Sequence, residues 1–270
     1  EDRDEDIIVD GSEIGARYKL RRAVRTHASG VRTGITVADA RAGKFEGAEI
    51  PHDLQRQWIQ GTGPGAKPNA PVEQSIRNVA YALLSGADGW MFDGEDAMGQ
   101  VATMSLDNQR NLKLGIQKAP VFMEAAEQVA KHMNEWSLGF FGREIIEDWQ
   151  KQLDVTTKMF RPRGLHLDDR HIRDQNGVGF SASIVDITLY VVNNYQNLQE
   201  SGSSIVLYLP KIQTAEEAAL WNEIISSLEG HLQIPIGTLK VYVLVEQLEA
   251  TFQLMEIRAA LGKHFVGFNT

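Results

Sequence analysis

The run Val241-Tyr242-Val243-Leu244-Val245 constrains this chain more than any other stretch. Five consecutive apolar or aromatic residues, mostly β-branched, predict a strand covered on both faces, as in a parallel sheet. The run stops on a carboxylate, Glu246. In an α/β barrel the C-terminal ends of the strands carry the active site. An oxygen ligand at such an end suits Mg²⁺, a hard cation that takes carboxylates and keeps waters. The plainer reading is a charge that merely closes a strand.

Strand-like and helical stretches alternate from residue 71 onward. Val72, Ile76, Val79, Ala80 and Leu83 fall at helical spacing, and Gly86 stops the helix. Gly89-Trp90-Met91-Phe92 follows as a strand and ends in Asp93-Gly94-Glu95-Asp96. Three carboxylates in four residues repel one another unless a cation or hydrogen-bond donors hold them; the alternative is an exposed acidic turn. Helices are expected over 108–116 and 121–136, then a strand over 155–160 that delivers Arg161-Pro162-Arg163-Gly164-Leu165-His166. Two arginines around a proline make a stiff turn with two forks suited to carboxylate or phosphate oxygens, or a pair of surface salt bridges. His166 is either an acid/base or a hydrogen-bonded support. Residues 168–179 are polar and glycine-containing and are expected to form a loop. A helix over 183–200 should bury Ile184, Ile187, Val191, Tyr195 and Leu198. Strands at 204–209 and 264–268 complete a count of five, and Thr214 with Glu217 forms a capping box for the helix that follows Lys211.

Alternating strands and helices with charged groups at strand ends give an α/β fold class of the β/α (TIM-type) barrel kind. A closed barrel needs eight strands, so the barrel is expected to be incomplete at the C-terminus. Residues 71–270 would be its N-terminal portion and residues 1–70 an N-terminal extension or clasp. Within the extension, Glu1 to Asp6 is expected to be a solvated charge run, and the basic stretch carrying Arg17, Lys19, Arg21, Arg22 and Arg25 a surface helix, with an anion-binding helix as the second reading. Gly61-Thr62-Gly63-Pro64-Gly65 has the look of a phosphate loop, but no Lys-Ser/Thr follows it, so it reads as a linker.

Composition narrows the function classes. Hydrophobic content of 43% across 270 residues supports a real core. A formal charge of −9 argues against bulk nucleic-acid binding. With no cysteine, disulfides, thiolate metal sites and a cysteine nucleophile are excluded, and a cytoplasmic location is expected. No apolar run approaches membrane-span length, and the charged stretch Glu1 to Asp6 does not read as a signal peptide.

Taken in order, these elements resemble the malate synthase family, most of all its A form. Arg161-Pro162-Arg163-Gly164-Leu165-His166-Leu167 is similar to the family's R-P-R-G-W-H-L, with Leu165 in place of Trp. Tyr208-Leu209-Pro210-Lys211-Ile212 resembles Y-L-P-K, Val243-Leu244-Val245-Glu246 resembles V-L-I-E, and Asp93-Gly94-Glu95-Asp96 resembles D-x-E-D. His264-Phe265-Val266-Gly267-Phe268-Asn269 resembles H-x-x-G-L-N with Phe268 for Leu. The resemblance covers about residues 50–270. It implies a Mg²⁺-dependent barrel that condenses acetyl-CoA with glyoxylate and hydrolyses the thioester to malate and CoA. It implies Glu246 as a direct metal ligand and Arg161 as the catalytic cation that polarises the aldehyde and steadies the enolate. Asp93 and Glu95 would lie near the metal and its waters.

The family's motif continues past H-x-x-G-L-N into G-R-W-D, whose Asp is a second metal ligand, and a later Asp is the base. This sequence stops at Thr270. The expectation is therefore a portion of a longer enzyme, inactive alone. Two alternatives stand beside it. One is a citramalyl-CoA or malyl-CoA lyase, or another Mg²⁺-dependent aldolase of the same superfamily. The other is a noncatalytic barrel used for binding.

Overall fold

The computed structural model describes residues 42–44, 47, 49–55, 57–98 and 102–270. The charge run and the basic helix expected near the N-terminus lie outside these residues. In chain order the elements are β1 (Gln60–Gly63), α1 (Val72–Ser75), α2 (Arg77–Leu83), β2 (Gly89–Asp93), α3 (Ala102–Ile116), α4 (Pro120–Phe141), α5 (Trp149–Val155) and β3 (Thr157–Arg161). They continue with β4 (Asp168–Arg173), β5 (Gly179–Ser181), α6 (Ala182–Glu200), β6 (Ile205–Leu209), α7 (Ala215–Leu232), β7 (Leu239–Leu244), α8 (Leu254–Leu261) and β8 (Phe265–Asn269). No helix among the described residues is long and apolar enough to cross a membrane.

The main sheet runs β1-β2-β3-β6-β7-β8, and β4 and β5 form a separate two-stranded sheet. The pairs β1–β2, β2–β3 and β7–β8 are parallel. Strand order equals chain order once the β4–β5 hairpin is set aside. A doubly wound sheet reverses its order at a switch point, whereas a β/α barrel adds each strand on the same side of the last. The order observed is the barrel's, and the fold is α/β.

Contacts divide the chain into two units. The first comprises residues 50–161 and 188–206; the second comprises 162–187 and 207–270 with the described residues before 50. In the first unit, Met91, Phe92, Met159 and Phe160 are buried strand residues, and the Phe160 and Tyr190 rings stack at 4.8 Å. Helix α4 begins with Pro at its first position and ends at Gly142 in the left-handed region, φ 69°. It buries Phe122, Ala125, Ala126, Val129 and Ala130. In the second unit, Trp221, Ile225, Leu239, Val241 and Val243 are buried. The Thr214 side chain accepts the Glu217 N–H at the start of α7, as expected. Glu217 reaches back to the Gln213 N–H at 2.6 Å.

Three expectations are corrected. Gln60–Gly63, taken as linker, is strand β1 and pairs with Gly89–Phe92, so the main sheet has six strands rather than five. The glycines are there for packing: a Cβ at Gly61 would overlap the ring carbons of Trp90. Residues 168–179, taken as loop, carry β4 and lead into β5. Asp169 is the one buried residue of β4, so the sequence shows no apolar alternation there. In α6, Ile184 is 42% exposed and Tyr195 only partly buried, while Val185, Ile187, Tyr190, Val191, Asn194 and Leu198 are among the buried residues.

Candidate active site

Strands β2 and β3 end together, with Asp93 paired to Arg161 in register. The next N–H, that of Gly94, donates to the Arg161 carbonyl at 2.9 Å. A Cβ at Gly94 would lie 2.8 Å from that oxygen, so the close approach requires glycine. The chain then turns sharply around the Asp93 carboxylate. Its Oδ1 accepts the Glu95 N–H at 2.8 Å and its Oδ2 the Ala97 N–H at 3.1 Å.

This turn presents three carboxylates to one guanidinium. Arg161 Nη2 lies 2.7 Å from Glu95 Oε2 and 2.9 Å from Asp96 Oδ2, and Nη1 lies 3.5 Å from Asp93 Oδ2. The Arg161, Glu95 and Asp93 side chains are buried, whereas that of Asp96 is half exposed. The structure thus brings together Arg161, Asp93 and Glu95, three of the four residues singled out from the sequence, and adds Asp96.

Glu246, the fourth residue, belongs to the second unit and follows the end of β7. Its Oε1 accepts the Lys211 backbone N–H at 2.8 Å, and its Oε2 lies 3.2 Å from Lys211 Nζ. In the same unit, the Tyr208 and Tyr242 rings stack at 5.0 Å, and Asn269 Nδ2 donates to the Tyr208 hydroxyl at 2.9 Å. Burial raises the Tyr208 phenol above its ordinary value, and the Asn269 bond opposes that only in part.

The second arginine follows the carboxylate-fork reading, with partners the sequence did not name. Arg163 is buried, not a surface salt-bridge partner. Its Nε and Nη2 bond both oxygens of Asp186 at 2.9 and 2.8 Å, and Nη2 bonds Asp169 Oδ2 at 2.6 Å. Ser183 Oγ donates to the Arg163 carbonyl. Burial alone would lower the Arg163 pKa, but the Asp186 and Asp169 carboxylates outweigh it and raise it. The same network anchors the β4–β5 hairpin, because Asp169 Oδ1 also accepts the His171 and Ile172 N–H groups. His166 is buried, 8% exposed.

All acidic groups at these strand ends offer hard oxygen donors. Among the described residues no group of three or more His, Asp or Glu side chains is placed to hold a metal ion. Mg²⁺ does not require one, since it is held through one or two carboxylates and its own waters. The partly exposed Glu246 carboxylate, 26% accessible, fits that mode.

The model of the malate synthase TIM-barrel domain matches residues 157–270. Malate synthase A of Escherichia coli (strain K12) is 33% identical over 220 residues, covering 82% of this chain and 36% of that protein. The bifunctional glyoxylate cycle protein of Caenorhabditis elegans is 33% identical over 225 residues, 83% of this chain and 20% of its own length. The glyoxysomal malate synthase of Brassica napus is 30% identical over 262 residues, covering 94% and 42%. The chain thus spans between about a fifth and two fifths of the length of these relatives. With the barrel strand order and the acid–arginine cluster, these matches establish that the chain belongs to the malate synthase family.

Proposed function

We propose that this chain forms part of an enzyme that condenses acetyl-CoA with glyoxylate and hydrolyses the thioester to malate and CoA. The observation that supports it most is the grip of Glu95, Asp96 and Asp93 on Arg161 at the paired ends of β2 and β3. The acetyl methyl is a very weak acid, so the enolate derived from it needs fixed positive charge. A guanidinium held by three carboxylates cannot swing away, and its orientation is set before substrate arrives. Arg161 would polarise the glyoxylate aldehyde and steady the enolate oxygen. Asp93 and Glu95 would hold Arg161 in place and balance charge near the metal's waters. Glu246 would hold Mg²⁺. When bound, that ion supplies Lewis-acid polarisation of glyoxylate and a template for it. The division into an N-terminal extension and a barrel portion is part of the same proposal, as is a cytoplasmic site of action.

The test uses the full-length protein with acetyl-CoA, glyoxylate and Mg²⁺, following CoA thiol release. Arg161→Lys keeps the charge but loses the fork, and kcat should fall by roughly 10²–10³-fold. Activity within threefold of wild type would remove Arg161 from the chemistry. Free malate and CoA as products support the synthase; a CoA ester as the end product transfers the reading to a citramalyl-CoA or malyl-CoA lyase.

A further inference from the structure

We propose that Lys211 sets the orientation and the cation affinity of Glu246; this rests on the reading of Glu246 as the metal's carboxylate. Lys211 follows β6 and Pro210, and its backbone sits at φ 57°. That left-handed conformation is easy for glycine and disfavoured for a residue with a Cβ. If the chain needed only the turn, glycine would serve. The lysine contributes two donors to one carboxylate instead: its backbone N–H on Oε1 at 2.8 Å and its ammonium on Oε2 at 3.2 Å. The left-handed backbone turns the N–H toward Glu246 while the side chain reaches the second oxygen. Backbone strain of this kind collects at functional sites.

The two donors act differently toward a metal. The N–H is neutral and fixes the plane of the carboxylate. The ammonium is a positive charge on the carboxylate that Mg²⁺ would take, so the two cations would repel each other. The side chains of Lys211 and Glu246 are 22% and 26% exposed, so the repulsion is partly screened by water. Lys211 therefore holds Mg²⁺ binding weaker than Glu246 alone would make it, which keeps the ion exchangeable with its waters and substrate.

Isothermal titration of MgCl₂ into the full-length protein tests this. Lys211→Met should tighten Mg²⁺ binding by roughly tenfold. Lys211→Gly should do the same, because it removes the ammonium and keeps the N–H at a φ that glycine adopts freely; it also keeps the test open if Lys211→Met fails to fold. Lys211→Arg, which retains the charge, should bind like wild type. Unchanged or weaker Mg²⁺ binding in both Lys211→Met and Lys211→Gly overturns the assignment. Glu246→Gln should abolish the heat of Mg²⁺ binding. Wild-type affinity in Glu246→Gln refutes the metal reading of Glu246 itself, whatever the Lys211 variants do.

Discussion

Replacing Arg163 by Met should destabilise the fold severely while preserving most of the side chain's volume. The Arg163 side chain is 2% exposed, and its partners Asp186 and Asp169 are 0% and 2% exposed. The substitution takes two charged donors from Asp186 and one from Asp169. Asp169 retains the His171 and Ile172 N–H groups at 2.7 and 2.8 Å and Asp186 the backbone N–H of residue 163 at 2.9 Å, so most of the loss falls on Asp186, which gives up two donors to Asp169's one. Breaking a buried pair by removing one partner costs about 3–5 kcal/mol. That is a large share of the roughly 5–15 kcal/mol that holds a folded domain. Urea unfolding followed by far-UV circular dichroism reads the loss. The double variant Arg163→Met with Asp186→Leu should recover most of it, because the only charge of the network then left buried is Asp169, which keeps its two backbone N–H donors. The pH dependence gives a second reading. Burial alone would raise the Asp169 pKa, but the Ile172 N–H, the Arg163 guanidinium and the His171 N–H together lower it. A carboxyl lowered in the folded state contributes stability at neutral pH that is lost as pH falls through the folded value. Arg163→Met should shrink that acid-side loss. A cost below about 1 kcal/mol, or a double variant no more stable than the single one, would refute the reasoning.

Two further perturbations report on the first unit. Lys158 is buried on β3, with Nζ donating to the Leu153 carbonyl at 2.6 Å. Burial lowers its pKa to about 8, with Asp154 opposing the shift and Lys118 adding to it. The unfolded chain therefore binds more protons between about pH 8 and 10.5. Stability should rise by roughly 3 kcal/mol across that window relative to Lys158→Met, read as the difference in urea midpoints; parallel pH profiles would discard the buried-lysine account. Gly61→Ala should force the Trp90 ring off β1 at a cost of about 1–3 kcal/mol, with a shift in tryptophan fluorescence. Combining it with Trp90→Ala should cost less than the sum of the two, and strict additivity would count against the contact.

The parts legible in the sequence were those in which residue type declares its chemistry. Val241 to Val243 is buried and Leu244 and Val245 partly so, and the strand ends at Leu244, two residues before the carboxylate. The acidic segment and Arg161 lie 65 or more residues apart in the chain, yet both follow buried strands, and parallel pairing brought those strand ends together. The missed parts depend on partners that no local pattern names. Strand β1 has no hydrophobic signal, because its glycines answer a tryptophan on the neighbouring strand. The β4–β5 hairpin is held by a buried arginine before it and by Asp174, whose Oδ1 accepts the Asn176 and Val178 N–H groups across the turn. Lys211 adopts a left-handed backbone with neither Gly nor Asn to announce it.

The acidic segment shows where residue type stops being informative. Asp93, Glu95 and Asp96 look equivalent as a sequence, three carboxylates that a cation would attract. Their geometry separates them. Both oxygens of Asp93 are turned onto backbone N–H groups, and its distance to Arg161 is 3.5 Å, so it shapes the turn first and neutralises charge second. Glu95 is fully buried and holds the guanidinium at 2.7 Å, which makes it the principal anchor of Arg161. Asp96 grips the same nitrogen at 2.9 Å from a half-exposed position. Water screens that last interaction, so Asp96 contributes least to fixing Arg161, yet its exposed position leaves it the most accessible of the three to an incoming cation or substrate. Spacing places all three acids at one strand end; only the backbone turn around Asp93 decides which of them serves the fold and which is turned toward solvent.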